Sequence, residues 1–399
     1  MVSDLDIAVV GGSLGGLTAA CLLRDAGHRV TVYERSAVPL EQRGAGIGFL
    51  AATSRYLVEV VGVELDAISI ATGHIRYLHR DGSVASDEAH DYRFSSWNTV
   101  YQHLLDHWLA GAQGAARYRL GHELVDFRQD PVGVDLHFAD GSAVRADLLI
   151  GADGVGSRCR TILQPEAAQA YAGYVAWRGM VPEARLSSPT RACLDDAITY
   201  YVYANSHLLA YPIPAVDGSL DPGRRLVNFV WYRNYAPGDD IDDLMTDRFG
   251  EHRPLTVPPG TVAAHHEDEA RATALARLPA PLAEVVTKTE DPFVQAIFDI
   301  EVERVAFGRV CLLGDAAFAV RPHAAAGTAK ACDDGWTVAD ALDRSADPVG
   351  ALAAWEVGQL DLGRRLLDRT RAIGRRSQID GNWRIGDPEL VFGLYGPGD

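Results

Sequence analysis

The sequence predicts an α/β fold: a Rossmann-like domain, discontinuous along the chain, interleaved with a mostly antiparallel β-sheet domain and followed by a C-terminal helix. Three observations predict it. Apolar, strand-length runs near Ile7, Leu148 and Val310 each stop at a glycine turn that leads into a helix-forming stretch. Residues 171–299 change character to runs rich in aromatic and β-branched residues. Val349 to Ser377 carries the apolar period of an amphipathic helix.

Taken in order, Asp6 to Val10 is a strand, Gly11 to Gly16 a turn and Leu17 to Ala26 a helix ended by Gly27. Arg29 to Tyr33 is the next strand, which completes a βαβ unit. Arg76 to Val84 reads as a hairpin around Asp81-Gly82, and Val100 to Ala110 as a helix. His122 to Phe127, Gly133 to Phe138 and Ala143 to Ile150 read as three strands, with Asp140-Gly141 turning between the last two. The sheet stretch contains Tyr174 to Trp177, Thr199 to Tyr203, His207 to Tyr211 and Val227 to Tyr232, with helical insertions at Ile241 to Arg248 and Ala270 to Lys288. Val305 to Leu313 returns to buried parallel-strand character before a helix from Gly327 to Leu342. The first domain is therefore expected from residues 1–70, 96–170 and 300–345, and the sheet domain from 71–95 and 171–299. Residues 346–399 form a C-terminal helical segment.

Composition narrows the function classes. Hydrophobic content is 47% and charged content 23%, which is globular. A net charge of −17 argues against nucleic acid and against an anionic membrane surface as partners. No basic segment leads an apolar run at the N-terminus and no apolar run is long enough to span a bilayer, so a cytoplasmic protein is expected. The five cysteines (Cys21, Cys159, Cys193, Cys311, Cys332) lack metal-like spacing and read as buried thiols. His265-His266 has no partner pattern for a metal and reads as an exposed loop, so no metal is expected.

The first turn, Gly11-Gly12-Ser13-Leu14-Gly15-Gly16, suits a dinucleotide. Gly11 permits the tight turn, Gly16 permits close helix–strand packing, and the helix N-terminus offers N–H groups to a pyrophosphate. Ser13 stands where the motif has its middle glycine, and its hydroxyl can donate to a phosphate oxygen. Glu34 closes the second strand, where an acid accepts from a ribose hydroxyl, and Arg35 faces solvent or the adenosine. Gly151-Ala152-Asp153-Gly154, followed by Arg160, and Gly314-Asp315-Ala316-Ala317, followed by Pro322 and Gly327, repeat the logic of strand, glycine, acid and helix. An aspartate at a strand's carboxyl end can accept from polyol hydroxyls.

These three stretches, in this order and spacing, resemble the flavoprotein aromatic hydroxylases related to p-hydroxybenzoate hydroxylase, over nearly the whole chain. Within that family, Tyr171 to Gly179, Ala210 to Pro214, Arg321 to Ala326 and Phe392-Gly393-Leu394 resemble the 2,6-dihydroxypyridine 3-hydroxylase branch, which shares the serine at position 13. The resemblance implies an FAD-binding first domain, a substrate-binding sheet domain, and reduction by NADH or NADPH. Gly11, Ser13, Leu14 and Gly16 would hold the pyrophosphate and Glu34 the ribose. Gly46, Ile47 and Gly48 would pass beside the flavin with Arg43 nearby, Asp153 would serve FAD and the nicotinamide nucleotide, and Asp315 the ribitol. Ala326 and Gly327 would present N–H groups to the flavin's pyrimidine edge. Two departures stand out. Tyr101 occupies the place of an arginine that contacts phosphate in many relatives, and Phe318 that of a histidine after the second acidic turn.

The implied activity is hydroxylation of an electron-rich hydroxypyridine or phenol by a flavin C4a-hydroperoxide formed from O2. Partners are then a small aromatic substrate and O2, with a homodimer as an open possibility. Because a deprotonated ring is the better nucleophile, an acceptor near its hydroxyl is sought. His323, Tyr211 and His207 are the catalytic candidates, with Trp177, Arg178, Tyr201, Tyr203 and Pro322 as substrate-binding candidates. Arg178 can meet a substrate carboxylate or a surface acid. The competing readings are a non-oxygenating FAD oxidoreductase of similar fold, a natural-product tailoring hydroxylase, and a flavin-binding protein without turnover.

Overall fold

The computed structural model describes residues 4–40, 45–111 and 113–399. Arg43 lies outside them. A six-stranded sheet has the order 306–307, 310–312, 148–151, 6–10, 29–34, 118–120. All neighbours are parallel except the first pair. Val10 registers with Gly151 and Tyr33, and Gly151 with Leu312, so the three glycine turns lie side by side at the strands' carboxyl ends. That edge is where an open α/β sheet receives its ligand. The helices Leu14–Asp25 and Gly327–Asp343 pack on one another over this sheet.

The second sheet has nine strands, in the order 256–257, 293–299, 170–182, 226–234, 206–213, 197–203, 70–78, 84–96, 46–48. Only the pair 197–203 and 70–78 is parallel. Successive side chains alternate between faces. One face carries Trp177, Phe229 and Trp231 against the helices Ala264–Arg277 and Ala280–Lys288. The other carries Tyr174, Ala176, Tyr200, Tyr211 and Tyr232 with Phe392. A small third sheet joins 124–129, 134–138 and 143–146. The helix Pro348–Gln378 runs along helix 327–343 and reaches the loop at 322–324.

Several expectations are refined. The hairpin turns at Asp81-Gly82, but its strands extend to 70–78 and 84–96. Ala143 to Ile150 divides into strands 143–146 and 148–151, which join different sheets. Val305 to Leu313 is a small hairpin turned by Gly308 at φ +64°, and only 310–312 runs parallel to the first domain's strands. Gly46–Gly48, assigned by position to the first domain, pairs with Phe94–Ser96 as the edge of the nine-stranded sheet. His265 and His266 open a helix rather than lying in a loop, and the His266 side chain is largely covered. No helix among the described residues is long and apolar enough to cross a membrane.

Candidate active site

Two connected hollows lie between the sheets. The first, about 570 Å³, is bounded by Gly11, Ser13, Glu34, Arg35 and the 153–158 turn. The second, about 390 Å³, is bounded by Gly46, Ile47, Gly48, Arg178, His207, Tyr211, Asp315, Pro322, His323 and Gly327. Arg35, Asp153, Gly154 and Gly156 belong to both walls.

The first hollow is built by backbone economy. Gly11 has φ +113°, and a Cβ there would sit 2.2 Å from the Ala152 carbonyl oxygen. A Cβ on Gly16 would sit 1.9 Å from the Gly11 carbonyl oxygen. Buried Glu34 accepts from Gly12 N at 2.9 Å and Ser36 N at 2.8 Å, which shapes the turn and leaves further lone pairs on both oxygens. Ser13 caps helix 14–25 by position, with no side-chain bond to it. Leu14 and Ala326 are buried, so only their backbone is available. Tyr101 does not reach a phosphate position. It is fully buried, accepts from Leu40 N at 2.9 Å and shares a hydrogen bond with Tyr118, whose hydroxyl lies under Gly12.

The acidic turns divide their labour. Asp153 is consumed locally: it accepts from the Ser157 hydroxyl and from the N–H groups of Arg158 and Cys159, opening the helix Arg158–Leu163. Buried Arg160 bridges the two turns by donating to the carbonyls of Val155 at 2.6 Å and Ala316 at 3.1 Å. Asp315 has no hydrogen-bond donor for its carboxylate among the described residues. Burial raises its pKa to about 6 against the opposing pull of Lys330. Beneath it, Gly314 N and the buried Lys330 ammonium both donate to Asp334 at 2.7 Å. Phe318 packs against Gly363 and the Lys330 ammonium, which leaves no polar group at that position.

The second hollow has aromatic walls: Phe94, Tyr200, Tyr211, Tyr232, Trp383 and Phe392. Phe94 and Tyr211 stack at 4.2 Å. Among the described residues Arg178 meets no carboxylate. It donates to the Gly46 carbonyl at 2.8 Å and to Gln295 at 3.2 Å. His207 and His323 lie together, ring centroids 5.4 Å apart, with Tyr232 about equally close to both. Burial lowers the His207 pKa to about 3 and pushes that of His323 well below its usual value, so both rings are neutral. His323 Nε2 bonds the Tyr174 hydroxyl at 2.8 Å, and His207 Nδ1 contacts the Gln378 amide at 3.2 Å.

Three expected substrate contacts are corrected. Trp177, Tyr201 and Tyr203 belong to the opposite face of the sheet, packed with Trp231, whose indole donates to Tyr203 at 3.1 Å. Period-two alternation puts Arg178 and Tyr200 on the cavity side instead. Tyr232, Gln295 and Trp383 line the cavity without having been assigned to the site, and Phe392 enters the sequence reading only through the Phe392-Gly393-Leu394 resemblance. Trp383 and Phe392 come from the tail beyond the long helix, where no motif marks Trp383.

A family model described as an FAD binding domain-like matches residues 171–299, and one for an NAD(P)-binding Rossmann-like domain matches residues 9–39. The 2,6-dihydroxypyridine 3-monooxygenase of Paenarthrobacter nicotinovorans is 39% identical over 398 residues, covering 97% of this chain and 95% of the relative. The 6-hydroxynicotinate 3-monooxygenase of Pseudomonas fluorescens is 29% identical over 362 residues, covering 84% and 82%. The solved structure of 2,6-dihydroxypyridine-3-hydroxylase from Arthrobacter nicotinovorans superposes with a TM-score of 0.92 at 37% identity, covering 100% of this chain and 99% of that one. The chain therefore belongs to the FAD-dependent aromatic hydroxylases, flavoprotein monooxygenases that take their electrons from a nicotinamide nucleotide.

Proposed function

We propose that this monooxygenase hydroxylates a hydroxypyridine, with 2,6-dihydroxypyridine the first substrate to test. The observation that carries the reading is the second hollow: an aromatic-walled space with two neutral imidazoles at one end. A small planar ring with polar substituents matches that surface, because stacking holds the ring and hydrogen bonds orient it. The named activities of two relatives, on 2,6-dihydroxypyridine and on 6-hydroxynicotinate, point the same way.

The residues present fit FAD. Two joined hollows suit its two halves, a helix N-terminus and Ser13 suit a pyrophosphate, and Asp315 offers a carboxylate without a donor. Gly11, Ser13, Leu14 and Gly16 would hold the pyrophosphate, Glu34 the ribose, and Asp315 the ribitol. Gly46, Ile47, Gly48, Ala326 and Gly327 would flank the flavin ring, and Arg35 and Asp153 would border the passage between the hollows. When bound and reduced, FAD supplies activated oxygen from O2: one atom enters the ring and the other leaves as water. The protein's own part is to stack the ring, orient it through His207 and His323, and keep bulk water out with Tyr200, Tyr211, Tyr232 and Trp383.

The test is NADH or NADPH oxidation by the holoenzyme with hydroxypyridines and phenols. The expected result is ring-stimulated O2 uptake and a product heavier by one oxygen. Uncoupled oxidation without oxygenated product across the panel would defeat the reading.

A further inference from the structure

We infer that His323 serves the bound ring as a hydrogen-bond donor through Nδ1–H, in a tautomer imposed by Tyr174. The inference rests on the reading of the second hollow as the ring site, and assigns one of its two imidazoles a definite role there.

The argument begins at the far end of a buried chain of hydrogen bonds. Arg321 forms a two-point ion pair with Asp299, at 2.8 and 2.7 Å, and Arg371 adds a third donor to the same carboxylate at 3.0 Å. A guanidinium can only donate. Its remaining arm reaches the Tyr174 hydroxyl at 3.4 Å, so that oxygen receives a hydrogen from Arg321. The phenol must place its own hydrogen elsewhere. Among the described residues the acceptor within reach is His323 Nε2, at 2.8 Å.

Counting unmade bonds decides the tautomer. If His323 carried its proton on Nε2, the Tyr174 hydrogen and the Nδ1 lone pair would both be buried without partners. With the proton on Nδ1, Tyr174 donates to Nε2 and a single group is left unpaired. A buried polar group left unsatisfied has lost its hydration without a replacement hydrogen bond, so the arrangement with fewer such groups, Nδ1–H, is favoured. That atom is buried and has no partner among the described residues. The ring lines the hollow beside Tyr232 and His207, which makes a ligand in that hollow the partner assigned to Nδ1 in this inference.

This assignment changes the chemistry expected of His323. A neutral imidazole whose Nε2 lone pair is engaged by Tyr174 and whose Nδ1 bears hydrogen is not poised to accept the substrate's proton. It stabilises an oxygen that carries negative charge, so the ring is held with an oxyanion or pyridone oxygen facing Nδ1. The electron-rich form is thus selected on binding, without a base at this position. Gly374 belongs to the same device. A Cβ there would sit 2.5 Å from the Tyr174 hydroxyl and 2.9 Å from His323 Nε2, so the long helix approaches closely enough to pin both side chains.

Two substitutions separate donation from mere packing. Asparagine mimics the Nδ1 side of histidine and glutamine the Nε2 side. His323→Asn is expected to bind 2,6-dihydroxypyridine within a few-fold of wild type, read from the flavin spectrum of the holoenzyme. His323→Gln keeps the bond to Tyr174 but loses the donor, and is expected to weaken binding by about tenfold or more. The bound ring's own ultraviolet titration is expected to move to higher pH in the Gln variant and not in the Asn variant. Independently of any substrate, ¹⁵N spectra of histidine-labelled protein are expected to show His323 protonated at Nδ1. An Nε2–H tautomer, or a Gln variant that binds as tightly as wild type, would overturn the donor role alone. A wild-type holoenzyme that binds no hydroxypyridine or phenol would overturn the ring-site reading and this ligand with it, whatever the spectra show of the tautomer.

Discussion

Arg178 Nη2 donates to the Gly46 carbonyl oxygen at 2.8 Å. The two residues sit on strands with five others between them in the sheet order, so the nine-stranded sheet curls until its edge meets its middle. Gly46 N completes the closure by donating to Asn228 at 2.9 Å. Arg178→Ala leaves a buried carbonyl without its donor and frees the edge strand. We expect a loss of about 2 kcal/mol in urea unfolding and poorer retention of FAD on gel filtration. Arg178→Lys, with a point charge in place of a planar fork, recovers only part of either. An unchanged unfolding midpoint for the alanine variant would argue that the closure is incidental.

Gly48 makes the next contact along that strand. A Cβ there would lie 2.5 Å from the Ala325 Cβ, and Ala325 itself occupies the left-handed region at φ +54°. Gly48→Ala is therefore expected to force the strand away from the loop before helix 327–343, at about 1–3 kcal/mol. Adding Ala325→Gly removes the clash and suits the backbone, so the double variant is expected to recover stability beyond the sum of the single effects. Strict additivity in unfolding experiments would exclude the contact as the cause.

Asp315 gives a pH dependence to cofactor binding. Its pKa is raised to about 6 by burial, and its proposed role is to accept from ribitol hydroxyls, which the ionised form does better. FAD titrations of the apoprotein are expected to show affinity highest above pH 6 and declining as the carboxyl protonates below it. Asp315→Asn is expected to flatten the curve at the weaker level. A profile for the Asn variant that follows wild type through pH 6 would assign the dependence to another group.

The sequence was most legible where covalent geometry constrains it. Gly11, Gly16 and the acidic residues Glu34, Asp153 and Asp315 mark the three turns because the backbone there tolerates few alternatives, and the structure sets those turns at one edge. It was least legible where a residue's role depends on which way a strand faces. Tyr200, Tyr201 and Tyr203 put aromatic rings on both faces of one strand, and alternation alone does not say which face is the cavity. Asp153 shows a different limit: its motif is plain, yet the carboxylate is spent on capping a helix. Trp383 and Phe392 reach the cavity from a tail whose path is decided by tertiary packing, including Phe392 N donating to Tyr92 at 2.9 Å.

The two buried imidazoles also set the acid limit of the fold. A histidine whose folded pKa lies below its unfolded value of 6.5 takes up its proton more readily in the unfolded chain. Unfolding then binds protons, and stability falls as pH drops below 6.5, continuing until the folded group itself titrates. For His207 that window runs down to about pH 3. The loss at pH 5 is about 2 kcal/mol. His323 acts with the same sign. Asp315 opposes them: with its pKa raised to about 6, the folded protein binds that proton first, which returns about 1 kcal/mol between pH 7 and 5. The histidines outweigh it, so the apoprotein is expected to be measurably less stable to urea at pH 5 than at pH 7. His207→Asn removes a titrating group while keeping a polar side chain near Gln378. Its stability is expected to start lower at pH 7 and to fall by about 2 kcal/mol less on acidification. A variant whose pH dependence runs parallel to wild type would show that His207 titrates in the folded protein as it does in the unfolded chain, and the lowering of its pKa by burial would have to be abandoned.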